Sequence, residues 1–415
     1  MQEYTFSPRD KVIIKAHGPQ PLVKGLLGYK KLNQHHDDHK VALFIERGVI
    51  AAVSRIPADA SRELPPGWRV IELPRDYLLA PPLVDCHVHL SMDGVNGFKG
   101  LTKPVENDLL EARLKLLSQA GLGAVRDGGD RFNLSLKAAG ISSTLSRSSF
   151  IPRVIATGSA IFRRGYYGRF LGREGIAQVE EVDILLKNLK EEGAQQAKVI
   201  LSGLVNINNP GKPGPIQFSQ EELNYIVKKA GEHGLPVMAH VNSDEGIMMA
   251  ASAGVHTIEH GYFISRNTLQ FMAEKGIGWV PTLAPLWAFT KTSSAEQASK
   301  IQDILKNHAE KIAAAADLGV TVGLGTDAGA PGVGFDSGFS EEMQLLSHLG
   351  LDPLQILLMA TVNGSLLLDI PRERGEIEPN KPPCFIALKR EVLRGLENFN
   401  RPEAVFYIKN GKHIS

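Results

Sequence analysis

Six side chains in this sequence combine the residue types and spacing that can hold divalent metal ions. His87 and His89 close the apolar run Leu83-Val84-Asp85-Cys86-His87-Val88-His89. Successive side chains of a strand point to opposite faces, so the two imidazoles share a face and can grip one metal at the strand end. The pair alone is weak, because an isolated inward histidine is commonly a hydrogen-bonded core residue. Four further residues strengthen it, each in or at the end of a strand-like run. Lys198 lies in Ala197-Lys198-Val199-Ile200-Leu201 and His240 ends Leu235-Pro236-Val237-Met238-Ala239-His240. His260 ends Val255-His256-Thr257-Ile258-Glu259-His260, and Asp327 closes Val320-Thr321-Val322-Gly323-Leu324-Gly325-Thr326-Asp327.

Imidazole nitrogen and carboxylate oxygen suit zinc and its neighbours, and a hydrolytic centre keeps one position open for water. Lys198 fits such a set only if its charge is removed, since an ammonium repels two cations. A carbamate formed with carbon dioxide is instead an anionic bridge able to hold two metals about 3.5–4 Å apart. The blander readings are a lysine paired with a carboxylate for Lys198, satisfied core histidines for His240 and His260, and a helix N-cap for Asp327.

Ligands so scattered need a frame that gathers strand ends. From Leu83 to about Leu368 short apolar strands alternate with amphipathic helices, the pattern of parallel strands joined by crossover helices. Strands are expected at 83–88, 122–127, 152–157, 197–201, 235–240, 255–259, 277–282 and 320–325. Helices are expected at 105–120, 178–192, 219–233, 244–253, 266–275, 298–317, 339–349 and 353–368. The segment 219–233 is the clearest, because Ser219-Gln220-Glu221-Glu222 reads as a capping box. Eight strands predict an α/β chain with a (β/α)8 TIM-like barrel over residues 81–369, whose functional residues sit at the C-terminal strand ends. A doubly wound open sheet is the alternative, disfavoured because no Gly-rich phosphate loop follows the first strand.

Residues 1–80 and 370–415 read differently, as short strand-like pieces separated by turn residues. The pieces are Val12–Lys15, Lys40–Ile45, Val49–Val53, Arg69–Leu73, Cys384–Leu388 and Ala404–Ile408. Both ends are expected to pair into one small β-sandwich domain. The stretch Gln34-His35-His36-Asp37-Asp38-His39, within 28–40, reads as a solvated loop rather than a metal site.

The bulk numbers narrow the partners. The 415 residues are 43% hydrophobic and 22% charged, which suits a large globular core. With 46 basic against 45 acidic residues the net charge is +1, so nothing marks the chain for nucleic acid or an anionic membrane, and a small-molecule substrate fits better. Only two cysteines occur, Cys86 and Cys384, and the first residues show neither a basic flank nor an apolar leader, so the expected location is the cytoplasm. The oligomeric state is left open, a homo-oligomer included.

Taken together, the H-x-H strand, the Lys198 strand, His240, Ile258-Glu259-His260-Gly261 and Gly325-Thr326-Asp327-Ala328-Gly329 resemble the metal-dependent amidohydrolase superfamily. The likeness is nearest to its dipeptidase, prolidase and imidazolonepropionase-like groups. It runs from about residue 40 to the C-terminus and includes Gly121-Leu122-Gly123-Ala124-Val125-Arg126-Asp127 and Ala360-Thr361-Val362-Asn363-Gly364-Ser365. The resemblance implies that His87 and His89 bind a buried metal, that His240 and His260 bind a more exposed one, and that carboxylated Lys198 bridges them. It further implies that Asp327 binds the first metal and shuttles protons.

The expected function is therefore a hydrolase with two divalent ions, zinc foremost, that cleaves a dipeptide-like or non-peptide amide by attack of a metal-bridging hydroxide. Asp327 serves as general base and then acid. Arg163, Arg164, Tyr166, Tyr167 and Arg169, in a loop after the third strand, are candidates to clamp a substrate carboxylate. Two alternatives stand. One is a mononuclear deaminase or cyclic-amide hydrolase in which Lys198 stays an amine, although the glutamate such deaminases carry three residues after the fifth-strand histidine is Ser243 here. The other is a non-catalytic binding protein.

Overall fold

A computed structural model describes residues 1–7, 9–17, 40–56, 66–94, 106–206, 208–370 and 377–408. The polar stretch 34–39 lies outside the described residues. Among the latter, strands from both ends of the chain build two sheets. These are β1 (Gln2–Phe6), β2 (Val12–His17), β3 (Lys40–Glu46), β4 (Val49–Ile56), β5 (Arg69–Glu72) and β6 (Tyr77–Ala80), with β14 (Phe385–Lys389) and β15 (Ala404–Ile408) from the far end. One sheet has the order β1-β15-β14-β6 and the other β4-β3-β2-β5. Phe6, Ile14, Leu43, Phe385 and Phe406 share the apolar core between them. The sequence reading places no strand at β1 or β6. Each buries only part of its short length and shows little alternation, so the pairing partner decides the conformation.

The remaining strands are parallel. They are β7 (Leu83–Val88), β8 (Leu122–Asp127), β9 (Arg153–Ile155), β10 (Ala197–Ile200), β11 (Val237–Val241), β12 (Thr257–His260) and β13 (Gly278–Val280). They form one sheet β7-β8-β9 and one sheet β10-β11-β12-β13. Every residue of β7, β8, β10, β11 and β12 is buried, which is why these segments read as apolar runs rather than alternating ones.

Hydrogen bonds outside the regular ladders join the two sheets at both edges. On one side the Gln195 amide donates to the Ala156 carbonyl, and Ile161 pairs in parallel with Val199. On the other, Val322 pairs with Trp279, the Cys86 amide donates to the Leu324 carbonyl, and Val88 pairs with Ala328. The expected strand at 320–325 is thus present only as bridges and single bonds. Gly323 and Gly325 explain it, since a Cβ on either would press within 3 Å of Leu367 and Cys86 or of Val280, and glycine-rich backbone pairs poorly.

Helices Asp244–Ala253 and Arg266–Lys275 fall where expected, and Gln220–Glu232 starts with the anticipated Ser219–Glu222 capping box. Two helices escape the sequence reading, Leu134–Leu145 and Ala284–Thr290. The first is held by Asp130, whose carboxylate accepts the Leu134 and Ser135 amides from outside the apolar pattern. The expected helix at 353–368 contains a π turn at Met359–Asn363. There the Met359 carbonyl accepts the Leu324 amide and the Asn363 side chain donates to the Val322 carbonyl, tying the helix to the irregular segment. No helix among the described residues is long and apolar enough to cross a membrane.

Candidate metal centre

The strand ends converge as the alternation of side chains requires. His87 on β7 and His89 just beyond it lie with ring centroids 5.2 Å apart. His260, at the end of β12, is 5.0 Å from His87 and 4.6 Å from His240 on β11. Lys198 on β10 is 1% exposed, and its Nζ stands 3.5 Å from His87 Nε2. Asp327 completes the group, with Oδ1 3.1 Å from His89 Nε2 and 3.7 Å from His87 Nε2. Its position is fixed through the backbone, since its amide donates to the His87 carbonyl at 2.7 Å. All six residues that the sequence nominates as ligands are therefore brought to one place.

Each of three imidazoles is anchored through Nδ1. His87 Nδ1 lies 2.7 Å from Glu259 Oε2, His89 Nδ1 lies 3.1 Å from the Gly129 carbonyl, and His260 Nδ1 lies 2.5 Å from Thr282 Oγ1. Such partners on the outer nitrogen turn the inner one toward the centre. Glu342 steadies the Thr282 side by accepting the amides of Leu283 and Ala284.

Burial and the Lys198 charge keep His87 well below the ordinary imidazole range and push His240 down to about 3, while burial and His240 lower His260. Neutral imidazole is the form that ligates. Burial likewise brings the Lys198 amine down to about 8. A neutral lysine amine is the form that adds carbon dioxide.

The residues fit a divalent metal on three observations. Donor atoms of His87, His89 and Asp327 lie within 4.8 Å of one another. Asp327 Oδ1 is buried without a hydrogen bond despite its closeness to two imidazoles, so these atoms face a common point rather than each other. The space beside them is held open by Gly128, where a Cβ would come within 2.7 Å of His87 Nε2 and of His89 Cε1.

The loop after the third strand divides. Tyr167 stacks obliquely on His240 at 5.6 Å and reaches the centre. Arg163 is committed elsewhere: it pairs with Glu222, lies over the Phe218 ring, and donates to the carbonyls of Gln217 and Ala177. Arg164 contacts Glu181 and the Gly175 carbonyl at the surface, and Tyr166 and Arg169 are exposed. Sequence reasoning gave no role to Glu259, Arg126, Asn242 or Tyr262. Asn242 is 1% exposed beside His240, and the Tyr262 ring lies 6.1 Å from that of His260. The signal for the first two was a charged residue inside an otherwise apolar strand.

This centre, on parallel strands beside two sheets built from the chain ends, defines a class. Residues 78–414 match the amidohydrolase family, so the chain belongs to that family and is a hydrolase acting on carbon–nitrogen bonds. It is similar to ochratoxinase of Aspergillus niger, with 29% identity over 391 residues covering 82% of this chain and 78% of that protein. It is also similar to imidazolonepropionase of Geobacillus thermodenitrificans, 27% identical over 204 residues, 48% of this chain and 44% of that one. In fold it matches a Xaa-Pro dipeptidase solved with methionine in its active site, with TM-score 0.74 and 22% identity over 96% of this chain and 98% of that one.

Proposed function

We propose that the chain is a binuclear metal-dependent amidohydrolase that cleaves a dipeptide-like or non-peptide amide of a small molecule. Residues 81–369 form its closed (β/α)8 barrel, and residues 1–80 with 370–415 form a β-sandwich. The circuit of pairings from β7 round to the Cys86–Leu324 bond supports closure. His87, His89 and Asp327 would hold one ion, His240 and His260 the other, with carboxylated Lys198 between them. When bound, two such ions polarise the scissile carbonyl and supply an activated water.

The observation that carries this reading is Lys198, buried within 3.5 Å of a histidine donor atom. A permanent ammonium there would expel a cation, whereas a carbamate would recruit two. Asp327 accepts the proton of the attacking water on a carboxylate oxygen and returns it to the departing nitrogen, so amide and water become acid and amine. Tyr167 and Tyr262 wall the side of His240 and His260 and help exclude solvent. Ser243 is spent on capping helix Asp244–Ala253, accepting the Gly246 amide, which weighs against the deaminase alternative.

The test is metal content by plasma mass spectrometry of protein purified without chelator, wild type beside Lys198→Ala, followed by screening dipeptides, N-acyl amino acids and lactams. About two ions in wild type, falling in the variant, is expected. One ion, indifferent to Lys198, would replace this reading with the mononuclear one.

A further inference from the structure

Beneath the metal centre a buried charge pair crosses from one sheet to the other. Arg126 on β8 and Glu259 on β12 are both 0% exposed, and Arg126 Nη2 donates to Glu259 Oε1 at 2.7 Å. The rest of the guanidinium is satisfied by the Cys86 carbonyl at 2.7 Å, Gln196 Oε1 at 3.1 Å and Thr257 Oγ1 at 3.0 Å. Thr257 in turn donates to Glu259 Oε1 at 2.5 Å. With two donors on Oε1, the other oxygen, Oε2, faces His87 Nδ1 at 2.7 Å. Burying two charges is costly unless every donor and acceptor is met, and the same packing could be had from apolar residues. The pair is therefore placed for something packing does not need.

We propose that Arg126 and Glu259 are positioning residues that lock His87 in the tautomer with the proton on Nδ1 and the lone pair on Nε2, facing Asp327 and Lys198. A carboxylate is acceptor-only, so the His87 nitrogen against it must carry the hydrogen. Arg126 and Thr257 keep that carboxylate fixed by donating to its far oxygen. The other anchored histidines face weaker partners, a carbonyl for His89 and a hydroxyl for His260, either side of which can donate in the second case. Only His87 is locked by a charge. The proposal rests on the binuclear reading for its purpose, but its geometry and the tautomer it assigns do not depend on a bound ion.

Glu259→Gln inverts the lock. Its carbonyl is drawn to the two donors on the Arg126 side, which turns its amide toward His87 Nδ1. The imidazole must then accept there and carry its hydrogen on Nε2, where it cannot ligate. Aspartate is one methylene shorter, a worse fit, yet still acceptor-only. The two variants thus rank in opposite order for shape and for tautomer.

The experiment is two-bond nitrogen–proton correlation NMR of metal-free, histidine-labelled protein, with the His87 signals assigned by their loss in His87→Asn. Wild type is expected to show hydrogen on Nδ1, Glu259→Gln on Nε2, and Glu259→Asp on Nδ1. Metal affinity at the His87 position should fall about 10- to 100-fold in Glu259→Gln and less in Glu259→Asp. Hydrogen on Nε2 in wild type, or a greater loss of metal in Glu259→Asp than in Glu259→Gln, overturns the proposal. The wild-type spectrum decides even if a variant fails to fold. Wild type that binds no metal at all would sink the binuclear reading while leaving the tautomer result intact.

Discussion

Thr326 donates twice to Asp85, through its amide to Oδ1 at 3.0 Å and through its hydroxyl to Oδ2 at 2.6 Å. Asp85 Oδ1 also accepts the His87 amide at 3.1 Å. One buried carboxylate therefore sets the backbone of the histidine strand against that of Asp327, although the two segments lie 241 residues apart. Thr326→Val preserves the shape, deletes one donor to a buried acceptor and removes the hydroxyl that accepts the Ala328 amide. Unfolding measured in urea should show a loss of about 1–3 kcal/mol, and metal titration a weaker site, because Asp327 follows directly. A variant with unchanged stability and unchanged metal affinity would show that Asp85 does not align the two segments.

The Lys198 amine is brought down to about 8 from 10.5, chiefly by burial. Only the neutral amine adds carbon dioxide, so loading of metal-stripped protein should rise with pH through about 8 and depend on bicarbonate there. Below that pH the ammonium dominates and loading should slow. Recovery of activity after adding zinc, measured from pH 6 to 9 with and without bicarbonate, checks this. A flat profile would leave Lys198 as an ordinary amine.

Glu342 is pushed up to about 8 from 4.5 by burial. The folded state thus holds this proton more tightly than the unfolded chain. Its contribution to stability is fully present below about pH 4.5 and is lost as pH rises toward 8. Glu342→Gln keeps an acceptor for the Leu283 and Ala284 amides without the titration. Its Tm should exceed that of wild type at pH 8 and above by on the order of a few °C, and the difference should shrink on acidification. Scanning calorimetry across that range is the check.

Arg163→Met should cost stability rather than substrate recognition, because the guanidinium is engaged with Glu222, Phe218 and two carbonyls. A loss of about 1–3 kcal/mol is expected. Catalytic efficiency on substrates with and without a carboxylate should fall by the same factor. Tyr167→Ala, beside His240, should instead raise KM. A selective loss on carboxylate substrates in Arg163→Met would restore that arginine as a clamp.

The candidate ligands are legible in the sequence because burial on both faces makes a parallel strand an apolar run, so histidine, lysine or aspartate at its end stands out. His87, His240 and His260 are of this kind. Arg126 and Glu259 carried the same mark but lie deeper, and nothing in a linear pattern shows that β8 and β12 oppose each other across the interior. Arg163 shows the converse, a side chain whose contacts the sequence does not reveal. Its loop is rich in groups able to bind a carboxylate, and the one that satisfies it, Glu222, comes from helix Gln220–Glu232. The irregular segment before Asp327 depends on the π turn at Met359–Asn363, a tertiary contact invisible to periodicity.

The parallel pairing of β1 with β15 sets Gln2 beside Ala404 and Phe6 beside Ile408. A ribosome makes the first of these partners some four hundred residues before the second. During that interval Phe6 lacks the Phe406 ring that later stacks on it, 6.3 Å away. The sheet that holds both strands can be finished only once synthesis has passed β15, so until then the nascent chain carries an uncovered apolar edge. A truncation before residue 404 would leave it uncovered permanently.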